Sequence, residues 1–356
     1  MSTYLNLRKH YRAFLEHAAG FSANADLLAP IGNKKFKADE LILGHGDFKY
    51  KVDRNWAKVN ASKHPITNCH EMVMDAQGRL IMLTDHPRNN ILIFNKGGEV
   101  VESWTLGLET AHGLTLASDD NREFLLITDF ASGRVIKTTL SSEIIFELKT
   151  PHALGFYNGW MPYDPTETAV APNGDIYVSD GYGSDFIIQY NSNGEYIRHF
   201  GGRGGKSENL KNAHGVCIDL RKGAENAELI VTSRMQSCFK RYTLDGEYIS
   251  TVKLPGTYPC RPVIKGSELY FGVCWSTFLY RANSGFVLIL DENDKVVSCP
   301  GGNEPKYNGD KLKRLSQNPR AFYHCHDVCV DDDGNLYICQ WNAQGMYPAK
   351  LEKLSA

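Results

Sequence analysis

The sequence predicts an all-β fold, a six-bladed β-propeller whose ring is closed by an N-terminal strand. The first observation is residues 165–201, in which four short alternating stretches are separated by turn signals such as APNGD and NSNGE. This pattern is typical of a four-stranded antiparallel meander. The second observation is that the pattern occurs six times along the chain. A single meander cannot bury both of its faces, so the copies are expected to pack around a common axis.

Each copy is anchored on the residue at the start of its first strand. Successive anchors are separated by close to the roughly 40–50 residues expected of four-stranded blades. The last interval is longer because it contains a polar insertion, Gly302–His324. The anchors in chain order are His70, His112, Thr166, His214, Arg261 and His326.

The sixth copy has room for only three strands, and the segment ELILGHGDFKYKV (40–52) supplies the missing one. We expect this segment to pair with the last blade, which removes the free sheet edge and closes the ring. The predicted propeller domain is therefore 40–356. Residues 1–39 are predicted to be a helical extension, because Leu5, Tyr11 and Phe14 lie near helical spacing. This helix is expected to pack on the propeller or on a partner subunit of a homo-oligomer.

Composition limits the classes of function. The 356 residues are 42% hydrophobic and 22% charged with a net charge of −2, which favours neither nucleic acid nor an anionic membrane as partner. The N-terminus lacks the apolar core of a signal peptide, and nine cysteines is an odd number, placed mostly within strands. We therefore expect reduced thiols in a cytoplasmic protein. Cys69, Cys260 and Cys325 directly precede anchors, and strand alternation predicts that they point away from the channel and pack.

Four of the six anchors are histidines. The innermost strands of a propeller line its central channel, so His70, His112, His214 and His326 are expected to converge at one mouth of that channel. Neutral imidazoles share no structural need to converge, whereas a transition metal is bound by this donor set. For any one of these histidines, a hydrogen-bonded structural role remains an alternative.

The loops between second and third strands open at the same mouth, because the intervening strand reverses the chain direction. They place Tyr182, Arg234, His86 and Arg88 near the histidines. A tyrosine beside a metal and a guanidinium loses its proton more easily than a free phenol, so Tyr182 is a candidate general base. The alternative is a rim tyrosine that only packs.

Carboxylates and further polar side chains surround the same ring. Glu71 is a candidate metal ligand, and Glu167 is expected to bind substrate, assist proton transfer or complete a metal shell. Asp327 faces the opposite way from His326 and is a candidate ligand for a structural calcium ion. Several polar and aromatic side chains at the mouth suit a sugar-like ligand: Asn68, Arg261, Trp275, His324, Gln340 and Trp341. For the two tryptophans, packing between blades is the alternative.

The motifs SDGYGSD, AHGVCI, IVTSRM and CHDVCV resemble those of NHL-repeat propellers, and in particular the peptidyl-α-hydroxyglycine α-amidating lyases. The resemblance covers about residues 68–354 and implies a six-bladed propeller with a catalytic zinc, a tyrosine base and a structural calcium. It implies His112, His214 and His326 as zinc ligands, Tyr182 as the base and Arg234 as a substrate arginine. Three departures are His86 at an arginine position, the additional His70, and His324 in place of a methionine.

A second resemblance is to bacterial propeller lyases of 3-keto-glycoside degradation, including the 3-ketovalidoxylamine C–N lyase type. We therefore predict a lyase that depends on a divalent metal, zinc before manganese, iron or calcium. It would cleave a C–N or C–O bond of a polar small molecule, such as a 3-keto-glycoside or amino-pseudosugar, by proton abstraction and β-elimination. The alternatives are a non-catalytic interaction propeller and a calcium-dependent lactonase-type hydrolase, since fold alone does not decide function.

Overall fold

The computed structural model describes residues 41–119, 122–276 and 283–355. Five antiparallel sheets follow one another along the chain, each with its four strands in sequence order. Blade 1 contains β3 (Cys69–Met74), β4 (Leu80–Thr84), β5 (Ile91–Phe94) and β6 (Val100–Trp104), and blade 2 contains β7 (Ala111–Asp119), β8 (Arg122–Asp129), β9 (Arg134–Thr139) and β10 (Ile144–Glu147). Blade 3 contains β11 (Glu167–Val170), β12 (Ile176–Ser179), β13 (Phe186–Tyr190) and β14 (Tyr196–Gly201).

The second half of the ring continues this plan. Blade 4 contains β15 (Ala213–Asp219), β16 (Glu228–Ser233), β17 (Cys238–Thr243) and β18 (Tyr248–Lys253), and blade 5 contains β19 (Val263–Lys265), β20 (Glu268–Val273), β21 (Phe286–Leu290) and β22 (Val296–Ser298). The insertion before blade 6 folds into a small hairpin, β23 (Tyr307–Asn308) and β24 (Lys311–Leu312). A short helix, α1 (Pro151–Leu154), connects blades 2 and 3. The predicted six-bladed propeller is confirmed.

Blade 6 is built from both ends of the described chain. Its strands β25 (Cys325–Val330), β26 (Leu336–Gln340) and β27 (Ala349–Lys353) are joined by β2 (Phe48–Asp53) and then β1 (Ile42–His45). The pairing of β2 with β27, with Val52 opposite Leu351, confirms the predicted ring closure. The segment forms two strands rather than the predicted one, because the chain turns at Gly46, whose φ of +56° favours glycine.

The apolar core lies between neighbouring blades. Ile81 and Ile91 of blade 1, for example, pack against Leu125 and Ile127 of blade 2. The closing strand takes part in the same packing, because Tyr50 and Val52 are buried with Leu351 of β27. Each blade is thus stabilised by burying its faces on two neighbours.

The predicted N-terminal helix lies outside the described residues. Among the described residues, no helix has the length and apolar character needed to cross a lipid bilayer.

Candidate metal centre and active site

The four anchor histidines lie on irregular innermost strands. Each of these strands contains a β-bulge at its histidine, where it has one residue more than the strand it pairs with; the strands are β3, β7, β15 and β25. In blade 3, β11 has no histidine and pairs with β12 in a regular register. A bulge turns the side chain of the extra residue away from the normal alternation. The bulge therefore directs each imidazole inward at the top of the channel.

The resulting group, which we call the histidine centre, consists of His70, His112, His214 and His326. All four side chains are buried. The ring centre of His112 lies 5.1 Å from that of His70 and 4.8 Å from those of His214 and His326. Nitrogen atoms of His70, His112 and His326 that could each bind a metal lie within 4.8 Å of one another. The predicted convergence of the histidines is present.

Hydrogen bonds to the outer ring nitrogens fix which nitrogen faces the centre. His112 Nδ1 lies 2.8 Å from the carbonyl oxygen of Thr166, and His326 Nδ1 lies 3.0 Å from that of His70. A carbonyl only accepts, so both Nδ1 atoms carry the proton and both Nε2 atoms keep a lone pair. His70 is reversed, because its Nε2 lies 3.3 Å from Oδ2 of Asp85. Its buried Nδ1 has no hydrogen-bond partner within the described part of the chain.

The histidine centre is electrically suited to a cation. Burial lowers the pKa of His112, His214 and His326 well below the ordinary value, and the neighbouring imidazoles and Arg234 lower it further. These histidines are therefore neutral near pH 7, which is the form that binds metals. Support of ligand imidazoles by carbonyl and carboxylate oxygens is typical of protein metal sites. The donor set fits a transition metal held by imidazole nitrogens.

Tyr182 lies against the histidine centre. Its hydroxyl oxygen is 3.1 Å from Nε2 of both His112 and His214. Burial raises the pKa of Tyr182 to about 12, although Arg234 opposes this through its charge and a hydrogen bond. The phenol is therefore protonated at neutral pH in the absence of a further positive charge. Phe130 closes one side, with its ring centre 5.3 Å from that of Tyr182.

A layer of carboxylates lies further along the innermost strands. This carboxylate layer consists of Glu71, Glu167 and Asp327, all fully buried around the guanidinium of Arg261. Arg261 donates to both carboxylate oxygens of Asp327, at 3.1 and 2.6 Å, and to the carbonyl oxygen of Leu114 at 2.8 Å. Its Nε lies 3.7 Å from Glu71 and 3.8 Å from Glu167. One guanidinium thus links blades 1, 2, 3, 5 and 6.

This layer changes the roles predicted for its members. Arg261, expected to contact substrate, is engaged by Asp327 and backbone carbonyls instead. Asp327, which was expected to bind calcium, forms an ion pair with the guanidinium of Arg261. Glu71, expected to bind metal, accepts the backbone N–H of Leu114 at 2.6 Å, and Glu167 accepts that of Thr168 at 2.8 Å. Burial raises the pKa of both glutamates.

The other predicted residues lie around the mouth. Arg88 is exposed, and His86 accepts the backbone N–H of Arg88 at Nδ1. His324 uses both ring nitrogens, one toward the carbonyl of Trp341 and one accepting the N–H of Asn283, so it is not a metal ligand. It packs at right angles to Trp275, whose buried Nε1 has no partner in the described segments.

Two residues near the site were not predicted from the sequence. The first is Asp85, which directly precedes the predicted residue His86. The carboxylate of Asp85 contacts His70 of the histidine centre. Cys260 was expected to pack, as Cys69 and Cys325 do within apolar clusters. Instead the sulfur of Cys260 lies 3.0 Å from Nη2 of Arg234. The motif TDHP offered a signal for Asp85, whereas no local pattern distinguishes Cys260.

Comparisons with known proteins agree with the repeats and the ring. NHL repeat-containing protein 3 of Homo sapiens is 29% identical over 38% of this chain and 40% of its own length. Peptidyl-glycine alpha-amidating monooxygenase B of Xenopus laevis is 24% identical over 90% of this chain and 38% of its own. The chain is a six-bladed propeller similar to NHL-repeat proteins, and we refer to it below as the NHL-type propeller.

The chain is also similar in sequence to a lyase. Peptidyl-alpha-hydroxyglycine alpha-amidating lyase 1 of Drosophila melanogaster is 25% identical to the NHL-type propeller over 65% of this chain and 42% of its own. The chain spans about two fifths of the length of these curated relatives. No protein-family model matches it.

Solved structures share the fold at low sequence identity. A structure described as a putative gluconolactonase superposes with a TM-score of 0.58 at 12% identity, covering 88% of this chain and 97% of its own. A streptogramin B lyase superposes with a TM-score of 0.53 at 13% identity, covering 89% and 99%. The NHL-type propeller therefore has an architecture that also occurs in proteins described as enzymes.

Proposed function

We propose that this NHL-type propeller is a metal-dependent lyase acting on a polar, carbohydrate-derived small molecule, such as a 3-keto-glycoside or amino-pseudosugar. It would cleave a C–N or C–O bond by proton abstraction and β-elimination. The observation that carries the proposal is the contact of the Tyr182 hydroxyl with two neutral imidazoles, those of His112 and His214, in the buried histidine centre. Similarity to the Drosophila amidating lyase supports the lyase class.

The metal would be held by the histidine centre. Nδ1 of His70 and Nε2 of His112 and His326 carry the available lone pairs, and His214 is the fourth imidazole of the group. This donor set favours zinc or another transition metal over calcium. When bound, the cation would supply Lewis acidity to a carbonyl or hydroxyl oxygen of the substrate and would lower the pKa of Tyr182.

Tyr182 would act as the general base. Its deprotonated oxygen takes the proton from the carbon next to the substrate carbonyl, and the electron pair of that C–H bond forms a C=C double bond. The C–N or C–O bond at the β-carbon breaks, and its electron pair leaves with the amine or alkoxide. Tyr182 then returns the proton to the leaving group, so that no oxidant or other co-reactant is consumed.

Two other side chains would orient the reaction. Arg234 is buried and hydrogen-bonded to Tyr182, so its charge favours the deprotonated phenol and a nearby oxyanion. Trp275, whose indole N–H has no partner among the described residues, would donate it to a hydroxyl of the substrate and offer its ring face for stacking. Arg88 would contact the exposed end of the substrate from the rim.

The test begins with metal content and continues with turnover. Purified protein is dialysed and analysed for metals beside His214→Ala and Tyr182→Phe. We expect about one transition-metal equivalent in the parent and in Tyr182→Phe, and a marked loss in His214→Ala. With 3-keto-glycosides and carbinolamides as substrates, Tyr182→Phe should lose on the order of 10²–10⁴-fold in kcat.

The control distinguishes the reaction classes. A protein without metal, or with calcium that His214→Ala leaves unchanged, would contradict the metal centre. Full turnover by Tyr182→Phe would contradict the base assignment. Products that have gained water, rather than an alkene and a free leaving group, would indicate the lactonase-type hydrolase instead.

A further inference from the structure

Arg234 carries a buried positive charge without an acidic partner. Its side chain is buried, yet no carboxylate of residues 41–119, 122–276 or 283–355 forms an ion pair with it. Arginine stays protonated in proteins, and a buried charge is costly unless it is compensated. His112, His214 and His326 are neutral near pH 7, and so is Tyr182 in the absence of a bound cation, as described above. A counter-charge therefore has to come from another neighbour.

The sulfur of Cys260 is the neighbour that occupies this position. It lies 3.0 Å from Nη2 of Arg234, while Nε of the same guanidinium donates to the carbonyl oxygen of Pro259 at 3.2 Å. The two contacts hold one edge of the guanidinium against the segment that precedes β19. The rest of the group is left facing Tyr182, with which it hydrogen-bonds.

We propose that Cys260 is a thiolate that serves as the resident counter-ion of Arg234 and positions it against Tyr182. Cys260 acts through Arg234, so it is a positioning residue and not a catalytic one. The kinetic consequence rests on the function proposed above, whereas the charge state of the sulfur does not.

Two contacts of the Cys260 sulfur act in opposite directions. The carbonyl oxygen of Cys325 at 3.4 Å can accept only from the protonated thiol, whereas the guanidinium of Arg234 at 3.0 Å favours the thiolate. Burial alone would raise the pKa of its thiol, but a hydrogen bond from Cys274 and the charge of Arg234 outweigh burial and bring the pKa below the ordinary value. The other eight cysteines are shifted the opposite way, because burial raises the pKa of each. Among the nine cysteines, Cys260 is therefore the one whose pKa is shifted toward the thiolate.

The first experiment measures the thiolate itself and needs no substrate. The ultraviolet thiolate absorbance of the folded, zinc-loaded protein is compared between the parent, Cys260→Ser and Cys299→Ser. Serine keeps a hydrogen-bond acceptor but not the charge, and Cys299 is a buried cysteine whose pKa is raised by burial, with no guanidinium against it in the described part of the chain. We expect about one thiolate at neutral pH in the parent and in Cys299→Ser, and none in Cys260→Ser. Equal absorbance in the parent and Cys260→Ser would overturn the proposal.

The second experiment measures positioning, at saturating zinc. Cys260→Ser and Cys260→Ala should lower kcat by about 10- to 100-fold with little change in KM, because the guanidinium loses its fixed orientation. Serine should be the less damaging replacement, since it still accepts from Nη2. Unchanged kcat in both variants would overturn the positioning role. If no substrate is turned over by any form, the lyase proposal fails while the absorbance result still decides the charge on Cys260.

Discussion

Asp85 connects the histidine centre to the rest of blade 1. Its carboxylate accepts the backbone and side-chain N–H groups of Asn68 at 2.9 and 2.6 Å and faces Nε2 of His70 at 3.3 Å. This arrangement fixes the ring of His70 and leaves Nδ1 for a ligand. Because the carboxylate holds the ring of His70 in one orientation, Asp85 is expected to matter for metal affinity although it would not contact the metal.

We expect Asp85→Asn to weaken zinc binding by about 10- to 100-fold while the propeller remains folded. The measurement is competition of the purified variants with a chelator of known affinity. Asp129→Asn is the matched control, because Asp129 occupies the corresponding place in blade 2 but accepts hydrogen bonds from Thr110. Zinc affinity in Asp85→Asn equal to that of the control would show that His70 is not a ligand.

At the level of elements, the bulged strands require close approach between blades. Gly113 follows His112 on β7, and a Cβ atom there would lie 2.5 Å from the carbonyl oxygen of Thr166 and 2.8 Å from Oγ1 of Thr128. The same carbonyl of Thr166 accepts from His112. A side chain at Gly113 would therefore disturb the hydrogen bond that orients the imidazole.

Gly113→Ala should lower the free energy of unfolding by about 1–3 kcal/mol through overpacking and should also weaken metal binding. Gly205→Ala is the control, because a Cβ atom at Gly205 meets no atom within 4 Å. Chemical denaturation and metal titration of both variants provide the check. If Gly113→Ala had the same free energy of unfolding and the same metal affinity as the control, β7 could move away from Thr166 without a loss of stability, and the prediction would be wrong.

The bulges also explain which side-chain positions on the innermost strands could be predicted from the sequence and which could not. The repeat pattern placed the four anchor histidines at the channel, and strand alternation placed two of the three cysteines that precede anchors in the core. It could not place Cys260, because the direction of a side chain next to a bulge or before a strand depends on the register with the neighbouring strand. For the same reason Glu71 and Arg261 were assigned to the mouth, although the folded strands place them in the carboxylate layer.

At the level of the whole molecule, ion pairs join blades as the core does. Asp219 of blade 4 is hydrogen-bonded to Arg221 and Arg241, and both arginines also bind Asp294 of blade 5. Burial alone would raise the pKa of Asp219, but the hydrogen bonds and charges of the two arginines lower it to about 2.

This pKa predicts an acid-dependent part of the stability. Since the folded pKa lies below the unfolded one, the contribution is fully present above about pH 4 and is lost as the pH falls toward 2; it amounts to about 2 kcal/mol. Asp219→Asn should therefore be less stable than the parent at pH 6, and the difference should shrink toward pH 2. Urea unfolding at a series of pH values measures it.

Asp245→Asn is the control for this series, because Asp245 pairs with Arg198 at the exposed surface, where an ion pair contributes little. A difference between Asp219→Asn and the parent that stays constant from pH 6 to pH 2 would contradict the assignment.

The overall architecture was the most predictable feature. Blade number and ring closure follow from a pattern that repeats six times, so errors in single strands do not change the result. The hairpin of β1 and β2 was missed because one glycine-containing turn is a weaker signal than a repeat. The contacts of the carboxylate layer link distant parts of the chain, and no local pattern records them.

The closure of blade 6 has a consequence for biosynthesis. β2 is translated directly after its neighbour β1, yet β27, its hydrogen-bonding partner on the other edge, is made only after blades 1 to 5. Until then β2 presents an unpaired edge to other nascent chains, which is a recognised route to aggregation. This edge stays exposed until β27 has been made, and slow translation of blades 1 to 5 would lengthen the exposure.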